Sequence, residues 1–225
     1  NPDLVFVDTK IIADAPVRYL VSGMGDALTT RFEAEACHAS NVKNLSGGYA
    51  TSAALNIAQL CYEHLLNYGV TAKTACQSNT AIPALEKVVE AIILHSGMGF
   101  ENVGVAAAHA IQDGLITIEE THPYLHGEKV AFCTLVQLIL ENKSSKLLNE
   151  VYGFCHSVGL PITLTEVGIN VVDSEKLMRA ISVAGENTMS PLNNLPVPIS
   201  DQLIYDAIVT ADALGKVYKK NGKVD

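Results

Sequence analysis

Apolar residues recur along most of the chain at the three- and four-residue spacing of amphipathic helices, and few stretches alternate as half-buried strands do. Residues 51–68 illustrate the pattern, because Leu55, Ala58, Tyr62 and Leu65 place one apolar stripe on one helical face. The same spacing predicts further helices over residues 26–36, 72–77, 82–95, 103–116, 127–141, 145–157, 174–183 and 200–219. Eight to ten helices without a βαβ alternation predict an all-α helical bundle.

Glycine and proline mark the expected ends of these helices. A helix should start near Pro16, stop at Gly23 and Gly25, and be followed by a new helix that begins at Asp26. Gly69 should end the 51–68 helix. Residues 41–48 and 192–198 are expected to be loops, and the apolar run over residues 4–7 is of β type. One strand cannot form a sheet, so we expect this orphan strand to belong to a sheet outside the chain.

Composition adds that the 225-residue chain is apolar for its size, with 48% hydrophobic and 17% charged residues and a mean hydropathy of +0.23. This excess suggests that part of its surface is covered by another domain or partner. No apolar run approaches the roughly 18 to 20 residues that span a bilayer. The net charge of −9 argues against nucleic acid and anionic membranes as partners. Five cysteines without a Cys-x-x-Cys pair predict reduced core thiols in a cytoplasmic protein.

Two histidines provide the main candidate chemistry. His109 lies in a small, apolar segment, and His126 directly precedes the next helix, so both imidazoles could converge on one point. Neutral imidazole is the commonest protein ligand for a divalent metal, and Asp26 is the best candidate for a third ligand. The alternatives stay open at this point, because a histidine among alanines is often a core residue and an acid near a helix start is favoured by the helix dipole.

Other residues carry weaker signals. Asp113 follows His109 by four residues, so it could orient that imidazole, take part in a proton relay or cap a helix end. His122 could line the same site. The Gly-x-Gly pairs at 23–25 and 97–99 do not complete a nucleotide-binding loop, and no Gly-x-Ser-x-Gly supports a serine nucleophile. The remaining histidines are interpreted as structural or surface residues: His38, His64, His95 and His156.

Three segments together carry a resemblance to a known family. They are residues 14–28, which include GMGDAL at 23–28, then GMGF at 97–100 with HAI at 109–111, and finally HGEKVAF at 126–132. In this order and spacing they resemble the C-terminal helical domain of the glycerol dehydrogenases, within the iron-containing alcohol dehydrogenase family. The resemblance extends from about residue 5 to about residue 220. It implies the dehydroquinate synthase-like α domain as the fold.

The resemblance also implies a ligand set. In the glycerol dehydrogenases one zinc ion is bound by the aspartate of the GMGDAL-like segment and by two later histidines, which correspond here to Asp26, His109 and His126. These ligands would also face the substrate, and Phe100 is a candidate wall of the substrate site. Iron-type relatives place further histidines where this chain has Thr30 and Asp113. Both departures favour the three-ligand, polyol-oxidising branch.

The resemblance implies an NAD-dependent oxidation of glycerol to dihydroxyacetone by a cytoplasmic homo-oligomer. In the family NAD+ is held mainly by an N-terminal domain, whose Gly-Gly-Gly loop does not occur here. We therefore expect residues 1–12 to be the remnant of that α/β domain, residues 13–225 to be the metal- and substrate-binding domain, and the truncated chain not to complete catalysis alone. The alternatives are an NAD-linked dehydrogenase of another diol or alcohol, and a non-enzymatic helical interaction domain.

Overall fold

The computed structural model describes residues 3–185 and 190–224, and over these residues the chain is built from α-helices. The helices are α1 Thr9–Asp14, α2 Val17–Ala39, α3 Ser52–Gln77, α4 Pro83–Glu90, α5 Ser96–Val103, α6 Ala107–Leu115, α7 His126–Leu140, α8 Ser145–Val158, α9 Ser174–Gly185 and α10 Asp201–Asn221. A π-helical segment, Ala91–His95, joins α4 to α5, and short 3-10 turns occupy Glu119–Thr121, Leu164–Val167 and Pro191–Asn194. The predicted all-α fold is confirmed. None of the described helices is both long and apolar enough to cross a membrane.

The segment predicted as a strand, residues 4–7, forms no strand within the described residues. Residues 4–8 have no regular secondary structure, and Leu4 and Phe6 are 79% and 87% exposed. A strand needs a neighbouring backbone for its hydrogen bonds, and within residues 3–185 and 190–224 the only β pairing is an isolated bridge between Lys43 and Tyr49. Despite its β-type composition, the segment therefore does not form a strand in this structure.

Helix α2 is the centre of the fold. It packs against α3 and α7, and α7 is in turn covered by α6 and α10, while α9 packs on α6 and α10. The inward face of α2 contributes Met24, Leu28 and Phe32, each completely buried. Burial of an apolar face of this kind is the main source of helix stability in a protein, because isolated helices are marginal in water.

Two of the predicted helix breaks are wrong for the same reason. Helix α2 continues through Gly23 and Gly25, so Asp26 lies in its middle, and α3 continues through Gly69. A Cβ on Gly25 would lie 2.3 Å from the carbonyl oxygen of Gly127, and one on Gly69 would lie 2.8 Å from the ring of Phe154. These glycines are therefore contact points between helices, where close packing offsets their cost of about 1 kcal/mol in a helix interior.

The predicted 82–95 helix extends further than expected. Helix α4, the π-helical segment and α5 form one continuous run, in which the N–H of Ser96 donates to the carbonyl of Ala91 five residues earlier. The whole run packs along α3, and α5 also contacts α2. It therefore places residues 92–100 beside the middle of α2.

The crossing of α2 and α7 gives a testable prediction. A Cβ on Gly127 would lie 1.8 Å from the carbonyl oxygen of Ser22, which no rotamer change can relieve. We expect Gly127→Ala to lower the free energy of unfolding by about 3 kcal/mol or more, the upper part of the range for overpacking. Urea unfolding followed by circular dichroism measures the change.

Gly97 provides the matched control, because a Cβ there meets nothing within 4 Å and Gly97 also lies inside a helix. Gly97→Ala should raise the free energy of unfolding by about 0.5 to 1 kcal/mol, through helix propensity alone. Equal effects of the two substitutions would show that the α2–α7 contact is looser than described.

Candidate metal centre

Asp26, His109 and His126 are brought together from three different helices. Asp26 lies in the middle of α2, His109 near the start of α6, and His126 is the first residue of α7. The Oδ1 atom of Asp26 lies 3.3 Å from Nε2 of His109 and 3.4 Å from Nε2 of His126. The three side chains thus offer ligand atoms within 4.8 Å of one another, a geometry able to hold a metal ion.

Glu33 fixes the position of His109. Its side chain is only 1% exposed, and its Oε2 lies 2.6 Å from Nδ1 of His109. Its other oxygen, Oε1, accepts the backbone N–H groups of Ala106 at 2.9 Å and His109 at 3.1 Å. One buried carboxylate on α2 therefore caps the start of α6 and orients the imidazole. With Nδ1–H donating to Glu33, Nε2 is the nitrogen that faces Asp26.

His126 is positioned by contacts at the start of α7. The side chain of Glu128 accepts the backbone N–H of Leu125 at 2.7 Å and both Nε and an Nη of Arg18 at 2.7 Å. The same Arg18 side chain also donates to the carbonyl of Pro123 at 3.0 Å. A bidentate arginine–carboxylate pair is geometrically specific, so Arg18 and Glu128 fix the first turn of α7 against α2. Glu128 is the residue next to Gly127, which contacts the backbone of α2.

The electrostatics of the cluster favour a cation. Burial alone would raise the pKa of Asp26, but its contacts with His109 and His126 outweigh burial and hold this pKa well below its usual range. Burial lowers the pKa of His109, yet the negative charges of Glu33 and Asp26 outweigh it and raise the pKa to about 10. Two carboxylates thus surround one imidazole, and the site requires either a proton or a metal cation to balance them.

A cavity of about 380 Å³ opens beside the cluster. Besides the three clustered side chains and Glu33, its wall comes from α2, from the helical run over residues 83–103 and from the segment before α6: Thr30, Ile92, Ser96, Gly97, Phe100, Gly104 and Val105. Phe100 is 45% exposed, so it is a wall residue of the cavity and not a core residue. The hydroxyls of Thr30 and Ser96 lie 3.0 Å apart. The volume suits a small ligand.

Two of the weaker candidates do not join the site. Asp113 is exposed and absent from the cavity wall, and the imidazole of His109 is oriented by Glu33 instead. His122 is also exposed, and its Nε2 lies 2.9 Å from the carbonyl oxygen of Ile116. Asp113 occupies an exposed position of α6 and His122 bonds to the local backbone, so neither contact supports the expected orienting or lining role.

Glu33 is the site residue that sequence reasoning missed. The spacing of Asp26, Thr30 and Glu33 by four and then three residues places them on one face of a helix, and this could have signalled a polar face at the site. The predicted helix over residues 26–36 already contains all three residues, but nothing local to Glu33 predicts burial of a carboxylate. Its two partners, the N–H groups of α6 and the His109 ring, are about 75 residues away along the chain.

The fold and the cluster together define a helical domain with a candidate Asp/His/His metal centre at a small cavity. No family model matches the chain. Comparison with curated proteins is informative: the chain is 48% identical over 219 residues to the glycerol dehydrogenase of Thermotoga maritima, covering 97% of this chain and 60% of that protein. It is 47% identical to the glycerol dehydrogenase of Citrobacter freundii over 96% of this chain and 59% of the relative.

Another relative, the glycolaldehyde reductase of Halobacterium salinarum, is 39% identical over 96% of this chain and 59% of its own length. Among solved structures, the glycerol dehydrogenase of Schizosaccharomyces pombe superposes with a TM-score of 0.95 at 39% identity, covering 99% of this chain and 57% of that one. The probable glycerol dehydrogenase of Sinorhizobium meliloti gives a TM-score of 0.92 at 42% identity, covering 96% of this chain and 61% of that one.

The chain belongs to the iron-type alcohol dehydrogenase family and corresponds to the C-terminal part of its glycerol dehydrogenase members. It spans about three fifths of the length of the curated relatives it matches. The resemblance predicted from the three sequence segments is therefore confirmed.

The charge arrangement around His109 gives a prediction for the metal-free chain. A pKa raised from 6.5 to about 10 stabilises the folded state fully below pH 6.5, and this contribution is lost as the pH rises toward 10. The lowered pKa of Asp26 acts in the other direction, and its contribution is lost only as the pH falls below about 4. Between pH 6.5 and 10 we therefore expect a loss of stability that depends on His109.

Urea unfolding of the chelator-treated chain at pH 6, 8 and 10 measures this loss. Since other groups also titrate near pH 10, the same series on His109→Gln is the reference, and its stability should change less over this range. His122→Gln, which alters an exposed histidine outside the cluster, should follow the unmodified chain. Parallel curves for the unmodified chain and His109→Gln would contradict the expected coupling.

Proposed function

We propose that this chain is the metal- and substrate-binding part of an NAD-dependent polyol dehydrogenase that converts glycerol and NAD+ to dihydroxyacetone and NADH. The observation that supports it most is the spacing of the three side chains. Ligand atoms placed about 2.1 Å from a tetrahedral zinc ion lie about 3.4 Å from one another. The two distances from Asp26 Oδ1 to the imidazole nitrogens, 3.3 and 3.4 Å, match that spacing.

The proposed ion is one Zn²⁺, bound by Asp26, His109 and His126. Two imidazoles and one carboxylate are a ligand set typical of catalytic zinc, with the fourth position free for substrate. Thr30, on the same face of α2 as Asp26, presents a hydroxyl and not an imidazole, which favours the three-ligand set. When bound, such a cation supplies Lewis-acid chemistry, stabilising the deprotonated form of an alcohol so that hydride can leave carbon.

The chain's own residues organise the substrate side of this reaction. Glu33 holds His109 so that Nε2, and not Nδ1, faces the cavity. Phe100 and Ile92 form an apolar part of the wall that limits the site to a short carbon chain. The contacting hydroxyls of Thr30 and Ser96 form a polar part, where a further hydroxyl of a polyol can bond. This division of the wall suits a small polyol better than a long alcohol.

NAD+ is proposed to be held mainly by a domain that this chain does not contain. The relatives are longer, and the residues described here form helices without a sheet of the kind that binds dinucleotides. Under this proposal residues 1–12 lead from that domain into residues 13–225. The exposed apolar residues Leu4, Phe6, Ile11 and Tyr19 support cover by that domain or by other subunits of a homo-oligomer.

A related reaction is the second candidate. The likeness to a glycolaldehyde reductase favours a small hydroxyaldehyde or its diol as an alternative substrate. The same metal site serves either direction of the reaction, so the substrate alone separates the two. A panel of glycerol, ethylene glycol, 1,2-propanediol and glycolaldehyde, assayed with the complete enzyme and NAD+ or NADH, distinguishes them by kcat/KM.

Metal content tests the proposed centre directly. Zinc per chain, measured by elemental analysis after zinc loading and exhaustive dialysis, should fall by one equivalent in Asp26→Ala and in His126→Gln. Glu33→Gln should retain the ion but lower its affinity by about 10- to 100-fold, as loss of a carboxylate behind a ligating histidine does.

His122→Gln is the matched control and should leave the zinc content unchanged, since His122 bonds to backbone away from the cavity. An unchanged zinc content in Asp26→Ala and His126→Gln would overturn the assignment. In that case the histidines are core and surface residues of a helical interaction domain.

NAD+ binding tests the proposal that this chain binds the metal and the substrate while another domain binds the cofactor. Isothermal titration calorimetry of the zinc-loaded chain with NAD+ should show no binding at micromolar concentration, and the chain should not oxidise glycerol. A micromolar dissociation constant for NAD+ would contradict the proposal that the cofactor site lies elsewhere.

A further inference from the structure

A second cluster of potential ligands lies outside the candidate centre, at the junction of α3 and the helical run over residues 83–103. His64 of α3, Glu90 and His95 offer ligand atoms within 4.8 Å of one another. Nε2 of His95 lies 3.7 Å from Oε1 of Glu90, and the rings of His64 and His95 have their centroids 5.2 Å apart. We propose that His64, Glu90 and His95 form a second divalent-metal site, which joins α3 to the π-helical segment.

The π-helical segment creates this cluster. Glu90 and His95 are five residues apart, and in a regular α-helix at 100° per residue they would point about 140° away from each other. In a π turn the backbone bonds connect residues five apart, so such a pair lies on one face. The segment Ala91–His95 is flanked by Glu90 and ends at His95. π turns inside α-helices are uncommon and frequently occur at functional sites.

Unpartnered imidazole nitrogens provide independent support. The side chain of His95 is only 7% exposed, and Nδ1 of His95 and Nδ1 of His64 are both buried without a hydrogen-bond partner among the described residues. A buried polar atom without a partner is unfavourable and calls for an explanation. A bound metal would fix the orientation of both imidazole rings. In each ring one nitrogen would be a ligand, and the other would be free to donate a hydrogen bond.

The charge state of the cluster suits a metal rather than a proton. Burial lowers the pKa of His95, so its imidazole is neutral, which is the form that ligates metals. Two imidazoles and one carboxylate favour Zn²⁺, Ni²⁺ or Co²⁺ over Mg²⁺ or Ca²⁺, which prefer oxygen ligands. Lys87 competes for the same carboxylate, since its Nζ lies 3.0 Å from Oε2 of Glu90.

A metal bound at this position would affect the candidate centre through the backbone of the π-helical segment. Ile92 and Ser96, within and next to the π-helical segment, line the cavity beside Asp26. Binding at His64, Glu90 and His95 would cross-link this segment to α3 and hold that part of the cavity wall in place. The site is distinct from Asp26, His109 and His126, with which it shares no residue.

The experiment isolates the second site in the His126→Gln background. The chelator-treated variant is titrated with Zn²⁺ by calorimetry, and unfolding is followed by circular dichroism. We expect one zinc equivalent and a higher melting temperature with zinc. Adding His64→Gln or Glu90→Gln should lower the zinc affinity by about 100-fold or more and remove the zinc-dependent increase in melting temperature. Glu90 is 39% exposed, so Glu90→Gln should leave the fold intact even if His64→Gln does not.

Two further variants complete the test. Lys87→Met removes the competing cation from Glu90 and should tighten zinc binding several-fold. His38→Gln, at an exposed histidine away from both clusters, should change nothing. Absence of zinc binding in His126→Gln overturns the proposal, and so does a zinc affinity that is unchanged by both second-site substitutions. If only the candidate catalytic centre fails, the unmodified chain binds one zinc that is lost in His64→Gln and retained in His126→Gln.

Discussion

The buried carboxylate of Glu33 is the interaction on which the rest of the site depends. It accepts two backbone N–H groups at the start of α6 and contacts the His109 ring, so it satisfies otherwise unpaired donors of that helix end while it selects the imidazole nitrogen that faces Asp26. A carboxylate that is 1% exposed is costly to bury unless it is fully paired. Its pairing is complete only when α2 and α6 are docked, and this couples the fold of the domain to the geometry of the centre.

Close contacts between α2 and α7 position the imidazole of His126, as Glu33 positions the imidazole of His109. Gly25 and Gly127 allow the backbones of α2 and α7 to touch, and the Arg18–Glu128 pair fixes the first turn of α7 against α2. Because His126 is the first residue of α7, any separation of the two helices would move its imidazole away from Asp26. Gly25, which looks like a helix breaker in the sequence, is therefore one of the positions that bring the ligands together.

The helical run over residues 83–103 connects the two clusters of potential ligands. Its π-helical segment turns Glu90 and His95 toward α3, while Ile92 and Ser96 form part of the cavity wall on the other side. The π-helical segment thus contributes residues to the second cluster on one side of the helical run and to the cavity wall on the other. The residues in contact with the cavity come from elements that α2 holds together, so the cavity exists only in the assembled domain.

The helical periodicity by itself determined the all-α class and the approximate position of most helices. The reason is that residues at this spacing form one continuous apolar stripe, which can be buried against the core, only when the segment is a helix. Family motifs in the sequence also indicated Asp26, His109 and His126. Only the tertiary structure decided that α2 and α3 continue through their glycines, since contacts with Gly127 and Phe154 outweigh a local propensity. It also decided the role of Glu33 and the pairing of Glu90 with His95, because these depend on partners distant along the chain or on a π turn that no local pattern predicts.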